Sequence, residues 1–193
     1  MRATKIVTFA GSTRTGSYSA ALSALAAKEI ALLEAEPVHL SLADYALPIY
    51  DGDCETREGV PENAKRLHGQ LVAADGVFVV TPEYNAGFPP LLKNAIDWVS
   101  RVRGQGDAFG GPAWAIGCTS PGALGGYRAS QMLRQSLALG LNCLILGEQA
   151  MVANASQAFD EAGNFKDDKQ TARLRGVLKK LIELSALRAG LRA

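Results

Sequence analysis

The feature that most constrains the fold of this 193-residue chain is a regular alternation of short apolar runs with helix-forming segments. Residues 4–10, 37–42, 77–80, 112–118 and 141–146 have the length and composition of strands. Between and after them lie Ala/Leu-rich residues 17–34, then Val60, Ala64, Leu67 and Leu71 at helical spacing behind Pro61. Leu92, Ile96 and Val99 repeat in the same way, as do Ala129, Leu133 and Leu137, and a broad apolar stripe runs from Leu174 to Leu184. Apolar residues at that spacing predict amphipathic helices, the last over about 167–189. The runs at 4–10 and 77–80 are apolar throughout, as expected of strands buried on both faces of a parallel sheet; Pro37–Leu42 alternates and reads as an edge.

Strand–helix alternation implies right-handed crossovers and helices on both faces. The expectation is an α/β, doubly wound, five-stranded parallel sheet of order 2-1-3-4-5, in one domain over residues 1–193. In that order the winding reverses between the first and third strands, and ligands bind beyond the strands' C-terminal ends at such a point. Two stretches resist this pattern. Residues 43–59 form a long irregular segment, expected to fold over the chain's own sheet or cover a neighbouring subunit, and loops of that length are usually functional. Residues 147–165 give no clear reading beyond a turn at Asp160–Gly163.

The loop after the first strand, Gly11-Ser12-Thr13-Arg14-Thr15-Gly16-Ser17-Tyr18-Ser19, combines five hydroxyls with a guanidinium at a helix start. Helix starts leave N–H groups without partners and carry partial positive charge, which makes them anion sites. A phosphate monoester is the ligand this donor set suits. The plainer alternative is a strand–helix turn with a capping serine. The glycine spacing is that of a nucleotide triphosphate loop, but Ser17 stands where that motif needs lysine. The three-glycine dinucleotide fingerprint is also missing. Thr81-Pro82-Glu83-Tyr84-Asn85 follows the third strand, and the glycine-rich Thr119–Gly126 follows the fourth. The expected topology brings all three loops to one crevice.

These residues resemble the NAD(P)H-dependent FMN reductase family, over roughly Lys5 to Phe165. The first loop is similar to that family's phosphate loop, and Thr81–Asn85 followed by Leu92-Lys93-Asn94-Ala95-Ile96-Asp97-Trp98 is the most specific match. Ser120-Pro121-Gly122 with Gly125-Gly126-Tyr127-Arg128-Ala129 is the third. Ser19 departs from the asparagine common there, though serine also hydrogen-bonds phosphate. The resemblance implies a flavodoxin-like fold and an enzyme that passes hydride from NAD(P)H to FMN. A second acceptor follows by a ping-pong scheme: a quinone, flavin, azo compound or metal oxyanion. It implies that Ser12, Thr13, Arg14, Ser17 and Ser19 hold the phosphate and that Pro82, Glu83, Tyr84 and Asn85 follow the isoalloxazine edge. Ser120, Gly122, Gly125 and Gly126 would approach the pyrimidine end or ribityl chain. It further implies a homodimer or homotetramer, with residues 43–59 and the helix after Pro89 as contact surfaces. No catalytic side chain and no metal are expected.

Other classes fit less well. A formal net charge of +1 steers the chain to neither nucleic acid nor membrane. It also fits poorly with the strongly acidic flavodoxin-type electron carrier, or with a flavin sensor of that type, the alternative to an enzyme. A serine or cysteine hydrolase lacks a G-x-S-x-G elbow and has only two histidines to draw on. Three dispersed cysteines argue against a disulfide framework or zinc site and suit a reducing, cytoplasmic setting. No signal-peptide core or membrane-length apolar run is found. Trp98, Trp114 and Cys118 read as core, Lys93 and Asp97 as a surface pair, and His39 and His68 as outside the crevice. Arg101 and Arg103 are either surface cations or contacts for the extra phosphate of NADPH.

Overall fold

A computed structural model describes residues 2–192. Its sheet has five parallel strands: β1 (Lys5–Ala10), β2 (Glu36–Leu40), β3 (Gly76–Pro82), β4 (Ala113–Thr119) and β5 (Leu144–Val152). Their order is β2-β1-β3-β4-β5, as expected from the sequence. Ile6 pairs with Gly76 and Ala10 with Val80, so β1 and β3 are direct neighbours where the winding reverses. Every residue of β3 and β4 is buried.

Helices cover both faces. α1 (Tyr18–Leu32) and α7 (Asp168–Arg192) pack on one, where Leu22, Ile30, Phe78, Leu174 and Leu178 share a core. α3 (Glu62–Val72), α4 (Pro90–Val99) and α5 (Tyr127–Gln135) cover the other, around Val79, Leu92, Trp114 and Leu133. Trp98 and Trp114 are core residues, as read from the sequence.

Two segments differ from the sequence reading. The irregular 43–59 stretch contains a further helix, α2 (Gly52–Glu58), capped by Asp51, whose carboxylate accepts from the N–H groups of Asp53 and Cys54. None of its residues is buried, so the apolar periodicity that reveals a helix is absent. The stretch packs on its own chain: Pro48 O accepts from Asn94 Nδ2 at 2.9 Å and from Trp98 Nε1 at 2.8 Å. The Tyr50 ring meets Trp98 edge-on at 5.1 Å.

The fifth strand starts at Leu144 rather than 141 and continues through residues that were unreadable. Its register against β4 breaks between Trp114 and Ile116, which pair with Ile145 and Gln149. The Arg134 guanidinium holds this bulge by donating to the carbonyls of Leu146 at 2.7 Å and Gly147 at 3.3 Å. A bulge interrupts the period of two by which a strand is recognised. Before α7, the short α6 (Ala155–Ala158) follows directly on β5.

Candidate active site

The crevice opens where β1 and β3 part. Gly11 N donates to Val80 O at 2.8 Å, extending the pairing one residue past β1 and delivering the hydroxyl loop to the strand ends. A cleft of about 280 Å³ follows, lined by Gly11, Ser12, Thr13 and Arg14 from the first loop, with Tyr84, Pro89, Pro90 and Leu91 from beyond β3.

Within the first loop the serines and Gly11 are buried, Tyr18 is half-buried, and Thr13 to Gly16 are exposed. Ser17 caps α1, accepting from Ala20 N at 3.3 Å, so the capping role considered from sequence is real. It also shares a hydrogen bond with Ser19, the two Oγ atoms being 2.9 Å apart. That bond uses one of two hydroxyl protons and leaves the other free to donate at the helix start. Gly16 has φ +68, a conformation that L side chains rarely adopt. Arg14 is folded over its own loop, donating from Nη1 to Thr15 O at 3.0 Å and from Nη2 to Gly16 O at 3.2 Å. Its guanidinium also lies 6.0 Å from the Tyr18 ring centroid.

The second loop is a tight hairpin. Tyr84 and Gly87 exchange both main-chain hydrogen bonds, at 2.9 and 3.0 Å. The residues between them, Asn85 and Ala86, have φ of 51° and 64°. Two positive φ values suit a primed turn, which favours Asn first and glycine second. Pro82 is buried at the end of β3, and Tyr84 and Asn85 are exposed. Asn85 is therefore a turn residue, and it is not among the residues that line the cleft.

Glu83 does not line the cleft; its side chain is engaged by the start of α5. Its carboxylate accepts from Arg128 Nε at 2.8 Å, from Arg128 Nη2, and from the main-chain N–H of Arg128 at 3.1 Å and Ala129 at 3.3 Å. The Arg128 guanidinium and these N–H groups hold the Glu83 carboxyl below the usual carboxylate range. The side-chain role was missed from sequence, although the two motifs carried residues of opposite charge, Glu83 and Arg128.

The third loop is tied to the segment after β5. Ser120 O accepts from Ala155 N at 3.0 Å, Gly122 O accepts from Asn154 N at 3.3 Å, and Ser120 Oγ accepts from Gly122 N at 3.1 Å. Gly125 and Gly126 are buried. A Cβ at Gly126 would lie 3.1 Å from the main chain of Thr119, and its φ is +87. The chain's own packing therefore requires glycine there, a reason distinct from room for a ring. Ser120, Gly122, Gly125 and Gly126 do not line the cleft; beyond them, Arg128 and Ala129 bond Glu83 of the second loop.

The remaining candidates stand elsewhere. His39 hydrogen-bonds Thr8 Oγ1 at 3.0 Å on β1, and His68 is buried in α3. Neither lines the cleft, which leaves the loop serines without an imidazole base. Arg101 lies 4.8 Å from the Tyr50 ring centroid and pairs with Glu55 at 3.7 Å. Arg103 is in the loop beyond the far end of α4; neither arginine lines the cleft. Lys93 and Asp97 form an exposed pair at 2.8 Å, as read from sequence. Among the described residues no cluster of three metal-ligating side chains occurs, and no helix is long and apolar enough to cross a membrane.

Comparison with known proteins agrees with this geometry. Residues 4–157 match the family model described as NADPH-dependent FMN reductase. A quinone reductase of Pseudomonas putida is 40% identical over 162 residues, covering 81% of this chain and 82% of the relative. An NAD(P)H-dependent FMN reductase of Pseudomonas aeruginosa is 38% identical over 167 residues, covering 86% of each. Among solved structures, the flavoenzyme NAD(P)H:(acceptor) oxidoreductase FerB from Paracoccus denitrificans superposes with a TM-score of 0.78 at 27% identity. That match covers 96% of this chain and 98% of FerB.

Proposed function

This chain belongs to the NADPH-dependent FMN reductase family, and from that premise we propose how its own residues serve the reaction. It is an NAD(P)H-dependent flavin oxidoreductase that uses FMN and passes electrons to a small-molecule acceptor. The donor set fits the cofactor's phosphate: buried Ser12, Ser17 and Ser19 and the loop-anchored Arg14 surround a helix start. Hydrogen bonds to an ionised group are about twice as strong as neutral ones. In this reading Thr13 closes the phosphate end, and the main chain of Pro82 to Asn85 runs along the ring edge. Ser120, Gly122, Gly125 and Gly126 shape the other side.

When bound, FMN would accept hydride at N5 from NAD(P)H and return the electrons to the acceptor. The protein's part is to bind, orient and polarise. Main-chain N–H groups at the ring edge favour the negative charge that reduction brings, and the exposed Tyr84 borders the side from which both co-substrates arrive. No side chain need hold a proton in transit. One cleft serving both co-substrates implies that they take turns. The acceptor we propose first is a quinone, because the Pseudomonas putida relative carries that name. Initial rates at varied NADPH and quinone should give parallel double-reciprocal lines; intersecting lines would overturn the shared-cleft scheme.

We further propose a single domain over residues 1–193 that self-associates in a reducing cytoplasm, to which three free cysteines are suited. Ile49 is 87% exposed, and beside it a second cleft of about 410 Å³ runs between residues 47–50 and α4, sharing Pro90 and Leu91 with the first. A second copy covering this face would bury Ile49 and wall the crevice. Light scattering at micromolar concentration should give a dimer or tetramer; a monomer would contradict this.

A further inference from the structure

Helix α5 follows directly on Gly126, which has no side chain to cap it. A helix start needs partners for its first N–H groups. Here they come from a different loop: Glu83 Oε2 accepts from the N–H groups of both Arg128 and Ala129. Glu83 Oε1 meanwhile takes the Arg128 guanidinium. The Glu83 side chain is 5% exposed while that of Arg128 is 55% exposed. One desolvated carboxylate thus spans the loop after β3 and the helix after β4. The peptide that carries it leads straight into the Tyr84–Gly87 hairpin on the cleft rim.

We propose that Glu83 is a positioning residue. Its side chain fixes the β4–α5 loop against the β3–α4 loop, and with Arg128 it balances the charge beside the ring end of the crevice. This rests on the reading that the crevice holds FMN. Its electrostatic consequence has a sign. Reduction places negative charge on the ring. Removing Arg128 leaves the Glu83 charge uncompensated and opposes reduction, whereas neutralising Glu83 leaves the Arg128 charge and favours it.

The test compares Glu83→Gln, Glu83→Ala and Arg128→Ala with the parent protein. Glu83→Gln retains an oxygen for the α5 N–H groups, so it keeps the cap and loses the charge pair. Flavin midpoint potentials are measured on FMN-loaded proteins, and FMN and riboflavin binding by fluorescence quenching on the apoproteins. The expected potentials move in opposite directions, up for Glu83→Gln and down for Arg128→Ala. Glu83→Ala should weaken FMN and riboflavin by the same factor, since Glu83 holds the ring-side loops together and does not act on the phosphate. Unmoved potentials with only a lower melting temperature would reduce Glu83 to a helix cap and overturn the proposal, as would shifts of the same sign. Parent protein that binds no FMN would overturn the cofactor reading instead.

Discussion

Arg14 and Tyr84 line the same cleft, one placed by the end of β1 and the other by the end of β3. The relationship follows from sheet order: β1 and β3 are neighbours, their helices leave to opposite faces, and the loops diverge around a gap. A cationic, hydroxyl-rich wall thus faces one made by Tyr84, Pro89, Pro90 and Leu91.

The phosphate wall should discriminate by charge. Ser12→Ala and Arg14→Ala are each expected to weaken FMN about tenfold or more, because each removes a charge-assisted hydrogen bond. Riboflavin, which lacks the phosphate, should bind the variants and the parent almost equally. Calorimetric titration of the apoprotein with both flavins checks this; equal losses would show that the loop does not hold phosphate.

The Glu83–Arg128 pair should appear in the pH dependence of stability. The Glu83 carboxyl titrates below its usual value of 4.5 in the folded protein, mainly because Arg128 donates to it. A depressed carboxyl contributes stability that is present above the unfolded value and is lost as pH falls through the folded one. Arg128→Ala should therefore be less stable than the parent at pH 7, and the gap should narrow below about pH 4. Urea unfolding across that range measures it; a gap that stays constant would contradict the linkage.

Ala86 adopts φ 64° at the hairpin tip, where an L side chain crowds the following carbonyl. Ala86→Gly should stabilise the fold by up to about 1 kcal/mol. For a chain of this size that raises the melting temperature by roughly 2–4 °C. A lower melting temperature would mean that the alanine methyl makes contacts worth more than the strain.

Burial pushes the thiols of Cys118 and Cys143 up to about 12, while Cys54 is half-buried on α2. A thiol is a nucleophile only as thiolate. Iodoacetamide at pH 8 should therefore label the native protein at Cys54 alone, read by mass spectrometry. Cys118→Ser should retain NAD(P)H oxidation; loss of turnover with flavin still bound would return Cys118 to the chemistry.

The sheet order and the meeting of the first two loops were legible because their signals are local. Unbroken apolar runs mark β1, β3 and β4, and hydroxyls, glycines and prolines mark the turns. What was illegible lacked a period. The β5 bulge breaks the strand alternation, and α2 buries nothing and so has no apolar stripe. The Glu83 side chain was invisible for another reason: its partners, Arg128 and Ala129, are remote in sequence, and nothing near residue 83 shows which way it turns. Gly126 has a further reason that the sequence did not show, the close approach of its own backbone to Thr119, since a glycine shaped by a ligand and one shaped by its own chain look alike in sequence.

The most direct test of the account is an anaerobic titration of the FMN-loaded protein with NADPH or NADH, followed by flavin absorbance. The yellow band should bleach with one equivalent of reductant per bound FMN and return when a quinone is added. A flavin-loaded protein that neither nicotinamide bleaches would contradict the assignment and leave an electron carrier in its place.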